Sequence, residues 1–336
     1  LKWSGDANFG GNLTISNGTF NVTGSTTPAR VWTLKGNLYI ASGAQFHVSA
    51  GNSVSATMII NGPGTQQYTC DGTNIAVKLN WTVNNGSTLN LNSDLPLTAA
   101  GRTLTANGIV NVNGKIVSAD LVAGTGTIRN QGGGTGLLEV GAANGNNTLD
   151  GTLALLDGTS GSLGLVKRGS GTLTLTAAQT FSGGLVVSNG TVFVDNSTGS
   201  GTGSGAVTVY DGTLAGNGSI SGAVSIESGA DLSPGASVGK LTINNTLTLA
   251  GNTVIEVDKA NGTNDVIVAP AVNYGGTLTV TDLGGGLVAG DSFTITVAAG
   301  SGKVKQIDFA ATDGSDVPCG LLLLDTTAPD GTDNSA

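Results

Sequence analysis

The chain has 336 residues, of which 56 are Gly and only 10% are charged, while 38% are hydrophobic. This composition is too apolar for a disordered polar segment, so it predicts a folded chain whose surface is built from Ser, Thr, Asn and Gly. A net charge of −9 with 13 scattered Lys and Arg residues offers no basic stripe for a phosphate backbone, which argues against a nucleic-acid partner. No apolar run approaches about 18 residues, so no membrane-spanning helix is expected.

A short unit recurs along the chain and is the main signal of the fold. In residues 13–22, two apolar residues two positions apart precede an Asn-Gly step, and two more apolar residues follow it. Each apolar pair indicates a short strand with one buried face, and the glycine supplies the positive φ that turns the chain. The unit returns, sometimes with one extra residue after the glycine, at 38–48, 81–91, 185–194, 207–214 and 224–232.

Neither strand of this unit can bury its apolar face alone, but stacked units can, at about 4.8 Å per rung. The sequence therefore predicts an all-β fold, a parallel β-helix (β-solenoid) forming a single elongated rod. If coils average roughly 20 to 25 residues, the chain makes about fourteen rungs. The alternative is that Asn-Gly marks hairpins in antiparallel β-sandwich domains. Edge strands without Pro or charge count against that alternative.

The chain divides by pattern into three segments. N-terminal solenoid coils with an aromatic-rich cap cover 1–160, a second solenoid segment covers 161–300, and a strand with a polar tail covers 301–336. Eight of the fourteen aromatic residues lie in the first quarter. They are either large core fillers of a capping coil or an exposed patch, including Trp3 and Trp32, for a partner subunit or a glycan.

Residues 167–195, KRGSGTLTLTAAQTFSGGLVVSNGTVFVD, resemble the autotransporter-associated β-strand repeat, also called the passenger-associated transport repeat. The resemblance lies in GSGTLTL, in an aromatic residue followed by Ser-Gly-Gly, and in the closing NGTVFV. The segments that follow, to about residue 300, are similar to the usual continuation of such passengers. The resemblance implies a right-handed parallel β-helix exported to a bacterial surface, often as a stalk that carries another functional part.

Residues suited to catalysis are scarce. The only histidine, His47, alternates with apolar neighbours and is expected on the outer face of a strand, without a partner for a triad or a metal site. Lys167-Arg168 is interpreted as a solvated pair at a coil edge. Glu256 and Asp258 share one strand face, with Asp265 one short loop away, so they form either a weak Ca²⁺ site or a solvated acidic face. No other cofactor is expected.

The C-terminal part carries one apolar strand, followed by a polar tail. Because open solenoid ends expose strand edges, they must be capped or used for assembly. We expect a head-to-tail homopolymer in which the aromatic N-terminal end meets this strand of the next copy. The residues of the predicted strand are Leu321, Leu322, Leu323 and Leu324.

Cys70 and Cys319 are two free thiols, one disulfide, or halves of bridges between chains.

These features predict an extracellular structural protein, either the subunit of a surface fibre or a stalk, and not an enzyme. The first alternative is an adhesin that binds a polysaccharide or a host surface. The second alternative is a β-helical enzyme that degrades polysaccharides.

Overall fold

The computed structural model describes residues 2–3, 5–23, 30–49, 56–75, 79–288, 290–298, 304–310 and 320–325. Regular structure in these residues is entirely β, and stacked parallel strands form a β-solenoid of about 11 turns. The predicted all-β parallel β-helix is confirmed, and the antiparallel sandwich alternative is wrong. The predicted number of about fourteen rungs is also wrong, because some coils are longer than expected. Leu38, for example, pairs with Tyr68, which is 30 positions further along the chain.

The chain forms two units, which we describe separately. The first comprises Leu1–Leu173 and Gln179–Gly190, and the second comprises Thr174–Ala178 and Thr191–Ala336. The division runs through one strand, β23. The strands up to this point are β1 (Lys2–Trp3), β2 (Ala7–Phe9), β3 (Leu13–Ile15), β4 (Thr19–Thr23), β5 (Arg30–Leu34), β6 (Leu38–Ile40), β7 (Gln45–Ser49), β8 (Ala56–Ile60), β9 (Gly64–Cys70), β10 (Thr73–Ile75), β11 (Asn80–Val83), β12 (Ser87–Leu91), β13 (Leu95–Leu97), β14 (Thr103–Ala106), β15 (Ile109–Asn111), β16 (Ile116–Ala119), β17 (Leu121–Ala123), β18 (Thr127–Asn130), β19 (Gly134–Val140), β20 (Asn147–Leu149), β21 (Ala154–Asp157), β22 (Gly161–Lys167) and β23 (Thr172–Leu175).

The remaining strands are β24 (Leu185–Val187), which belongs to the first unit, and those of the second unit: β25 (Thr191–Val194), β26 (Val207–Val209), β27 (Gly212–Gly216), β28 (Ser219–Ile220), β29 (Val224–Ile226), β30 (Ala230–Pro234), β31 (Lys240–Ile243), β32 (Thr246–Leu249), β33 (Asn252–Asp258), β34 (Thr263–Asn264), β35 (Val266–Ala269), β36 (Ala271–Asn273), β37 (Thr277–Gly284), β38 (Ser292–Ala298), β39 (Val304–Ala310) and β40 (Gly320–Asp325).

In the first unit each coil contributes three strands, one to each face of the stack. One face is the sheet β2-β5-β8-β11-β14-β17 and the next is β3-β6-β9-β12-β15-β18-β21. The third face is β1-β4-β7-β10 and then β13-β16-β19-β22-β24. Up to β22, every third strand therefore returns to the same sheet, which is the arrangement expected of a solenoid, and β24 follows β22 after one intervening strand.

Core side chains of the first unit stack in columns. Trp32 pairs in parallel register with Met58, Met58 with Trp81, and Trp81 with Leu104. All four side chains are at most 1% exposed. Because each buried side chain of this size contributes about 1.5–3 kcal/mol, such columns supply most of the stabilisation of the stack.

Glycines at the corners allow neighbouring coils to approach closely. Gly190 has a φ of 79°, as the Asn-Gly pattern predicted, and a side chain would be strained there. A Cβ atom on Gly108 would collide with the backbone carbonyl oxygens of Asn84 and Ser87 in the preceding coil. Positive φ angles and the packing of one turn on the next thus account for much of the high glycine content.

In the second unit, the sheet β26-β29-β32-β36 lies beside β25-β27-β30-β33, whose last strand also pairs in parallel with β37. The third sheet, β28-β31-β35-β38-β39-β40, changes direction, because β39 pairs antiparallel with both β38 and β40. The strand predicted at 320–324 is present as β40. The parallel pattern therefore ends in an antiparallel sheet extension.

Candidate functional site

Polar side chains on the outer face of the first unit form ladders from coil to coil. Gln67, Asn90 and Asn111 occupy successive positions of one column in parallel register. The Asn90 amide donates to Gln67 Oε1 at 2.8 Å, and the Asn111 amide donates to Asn90 Oδ1. These bonds join residues more than 20 positions apart, so they stabilise stacking between coils.

A buried lysine lies within the apolar core of the first unit. Lys167 occupies a core column between Val140 and Val187 and is 0% exposed. Its ammonium donates to the backbone carbonyl of Arg168, to Gly169 O at 2.7 Å and to Asn189 O at 3.3 Å. The interpretation of Lys167 as part of a solvated pair is therefore wrong, because its side chain follows the core phase of β22.

The electrostatics of Lys167 reflect this enclosure. Burial lowers its pKa to about 8, and the negative charge of Asp120 opposes that shift. Asp120 is itself buried, and its carboxylate accepts from the backbone N–H groups of Gly101, Ala143 and Gly145 at 2.7 to 2.9 Å. A lowered lysine pKa can mark a reactive amine. Here the amine is enclosed by three carbonyls, so this arrangement holds a corner together and offers no route to a substrate.

Arg168, the next residue, points outward. Its Nη2 atom lies 2.5 Å from Glu139 Oε1, and its side chain is 48% exposed. The hydrogen bond from Arg168 to Glu139 raises the pKa of the guanidinium further. Glu139 Oε2 accepts a hydrogen bond of 2.6 Å from Ser118 Oγ in the coil before. The pair thus continues the ladder pattern on a second face.

The predicted calcium ligands are not assembled into one site. Asp265 is 0% exposed, and its two carboxylate oxygens accept from the N–H groups of Gly239 at 2.7 Å and Glu256 at 2.8 Å. Asp258 is half-buried and accepts from Asn261 instead. Within the described ranges, no group of three or more His, Cys, Asp or Glu side chains could hold a metal ion.

Burial raises the pKa of Asp265 to about 6, although its two backbone hydrogen bonds act in the opposite direction. The nearby charge of Glu256 adds to the rise. Asp265 is therefore a structural acceptor under the β33–β35 connection.

The aromatic residues of the first quarter mostly fill the core. Trp32 is 1% exposed and donates from Nε1 to Gly5 O at 2.8 Å, which corrects the expectation that it forms an exposed patch. Tyr68 and Trp81 contact each other edge to face at 5.6 Å in the same core. Of the predicted assembly residues, the side chains of Trp3 and of Leu321, Leu322, Leu323 and Leu324 lie outside the described part.

The two predicted cysteines can be placed only in part. Cys70 is half-buried at an open groove of about 400 Å³, which is also lined by Asp94 and Lys115. Cys319 lies outside the described residues, so a pairing of the two cysteines stays a prediction. His47 is half-buried on the outer face, as expected, with Nδ1 3.2 Å from Asn21 Oδ1.

Comparison with known families identifies a passenger-associated-transport-repeat at residues 165–192, the segment that contains Lys167 and Asn189. The resemblance recognised in the sequence is thereby confirmed, and the repeat is characteristic of secreted or cell-surface proteins. Searches of curated proteins and of solved structures return no match. None of the described residues forms a helix long and apolar enough to cross a membrane.

Proposed function

We propose that the chain is a structural scaffold of the bacterial surface, a β-solenoid stalk or fibre unit that acts without catalysis. The observation that supports this proposal is that its polar side chains form hydrogen bonds between neighbouring coils. Bonds such as Asn90 to Gln67 and Ser118 to Glu139 join positions 21 to 23 residues apart. Side-chain hydrogen bonds thus connect neighbouring coils along the stack, as a rigid scaffold requires. The transport repeat supports an exported location.

Removal of one complete coil tests this proposal. Trp81 lies in register between Met58 and Leu104, so deletion of 81–103 brings Leu104 onto Met58. If the coils are interchangeable structural units, the shortened chain should be exported and should resist protease as the parent does. A matched deletion of 81–92 removes two strands of the coil but leaves β13, so this variant should unfold. Equal loss of folding in both deletions would contradict the scaffold proposal.

End-to-end association of copies is part of the same proposal. In the described residues, β36, β37 and β38 form the last parallel rung. The apolar residues Val272 on β36 and Leu278 on β37 are only half-buried. Leu283 on β37 is 42% exposed. Such an edge with little charge can accept the strands of a second copy.

Negative-stain electron microscopy of the purified chain, with and without reductant, tests this association. We expect filaments at moderate concentration, and their loss on reduction would assign the link to Cys70 and Cys319. Single molecules at every concentration would contradict the homopolymer while leaving a monomeric stalk in place.

A further inference from the structure

An open groove runs along one corner of the second unit, across three successive rungs. Its volume is about 290 Å³. The lining comes from the turns before β30, β33 and β37, and it consists of Ser228, Gly229, Ala230, Asp231, Ala250, Gly251, Asn252, Gly276 and Thr277. The groove is therefore made of stacked, equivalent positions in neighbouring coils, and it follows the direction of stacking.

The floor of this groove is formed by glycines, because the coils pack too closely there for a side chain. A Cβ atom on Gly251 would collide with the carbonyl oxygen of Ala230, and one on Gly276 would collide with that of Gly251. Larger residues cannot replace these glycines without a shift of the backbone. The close packing of the coils therefore maintains a shallow, continuous channel at this corner.

One wall of the groove is a polar ladder. Asn252 donates from Nδ2 to Asp231 Oδ1 at 3.1 Å, and Asn252 Oδ1 accepts from Thr277 Oγ1 at 3.0 Å. Carboxylate, amide and hydroxyl groups thus recur about every 4.8 Å along the channel. Such a row suits a ligand whose own hydroxyl groups repeat along a chain.

An exposed tyrosine lies next to the groove. The pairing of Val209 with Ile226 and of Gly212 with Ala230 places Tyr210 one rung before the groove begins. Tyr210 follows the buried Val209, so its side chain points outward, and it is 59% exposed. Tyr274 is 53% exposed, but the pairing of Asn273 with Thr248 aligns it with the buried Leu249, so it belongs to the core phase of the last rung and not to this wall.

Exposed aromatic rings with adjacent hydrogen-bonding groups suit the apolar faces and hydroxyl edges of sugar rings. The charged residues at this corner, Asp211, Glu227 and Asp231, are all acidic, and no Lys or Arg lines the groove. Acidic polymers would be repelled. We infer that this corner of the second unit binds a neutral glycan chain lying along the stack, with Tyr210 as a stacking platform. This inference goes beyond the scaffold function and does not depend on it.

Affinity electrophoresis of the full chain in gels containing dextran, mannan, laminarin or hydroxyethylcellulose tests this inference, with polygalacturonate as an acidic control. At least one neutral polymer should retard the chain, and polygalacturonate should not. Tyr210→Ala should weaken the retardation about fivefold to tenfold, because truncation of a contact tyrosine commonly costs more than 1 kcal/mol. Ala250→Gln, which fills the groove from an exposed position, should weaken it as well.

Tyr39→Ala is the matched control, because Tyr39 is 38% exposed on the first unit. This variant should bind as the parent does, and circular dichroism should show that all three variants are folded. The inference is overturned if no neutral polymer retards the chain, if polygalacturonate binds best, or if Tyr39→Ala weakens binding as much as Tyr210→Ala.

Discussion

The Lys167 ammonium lies 3.3 Å from the carbonyl oxygen of Asn189, 22 positions further along the chain. Lys167 ends β22, and Asn189 begins the Asn-Gly corner after β24, the strand that pairs with β22. Both residues fall inside the transport repeat at 165–192. A single side chain therefore joins the first strand of the repeat to its closing turn.

Replacement of Lys167 by methionine tests this role. The variant keeps much of the apolar volume but leaves the carbonyls of Arg168, Gly169 and Asn189 without their donor. Unsatisfied buried acceptors cost about 1–3 kcal/mol, so Lys167→Met should lower the free energy of unfolding by about that amount. Chemical denaturation followed by circular dichroism gives the value. Lys35→Met, at an exposed lysine of the same unit, should change it by less than about 0.5 kcal/mol. Equal effects of the two substitutions would contradict the assignment.

The raised pKa of Asp265 predicts a pH dependence of stability in the second unit. An acid that titrates at about 6 in the folded state and near 3.8 in the unfolded state binds its proton more tightly when folded. Its stabilising contribution is present below pH 4 and is lost as the pH rises through 6. The melting temperature of the parent, relative to that of Asp265→Asn, should therefore be lower at pH 7 than at pH 4. A difference that is independent of pH would show that Asp265 does not titrate in this range.

Glycine positions at the corners should differ sharply in their tolerance of a methyl group. Gly108→Ala places a Cβ against two backbone carbonyls of the preceding coil and should destabilise the fold by about 1–3 kcal/mol, the usual cost of overpacking. Gly133→Ala meets no atom within 4 Å and should be neutral. Thermal unfolding of the two variants provides the comparison. If Gly133→Ala were the more damaging change, close packing of coils would not explain the glycine content.

The alternation of apolar residues and the Asn-Gly steps are sufficient to predict the parallel coils. The same alternation also contained the signal for Lys167, since Leu163, Leu165 and Lys167 are two positions apart and therefore face the core together. That signal was missed because a lysine is expected in solvent. For Trp32, the composition leaves a core filler and an exposed patch as alternatives, and its phase places it with Leu34 in the core.

Other features depend on contacts that local sequence does not reveal. Asp120 accepts hydrogen bonds from Gly101 and from Ala143, which are 19 and 23 positions away. The antiparallel pairing of β39 with β38 and β40 is set by the end of the stack, and apolar alternation is the same for parallel and antiparallel strands. The groove beside Tyr210 arises only when three separate turns are stacked.

The central claim is that this β-solenoid serves as a scaffold outside the bacterial cell. Immunogold labelling of intact cells that produce the chain, with an antibody to the purified folded protein, tests it most directly. The account predicts dense label on unpermeabilised cells and no further increase after permeabilisation, while a cytoplasmic protein is labelled only after permeabilisation. Label that appears only in permeabilised cells would contradict the surface scaffold.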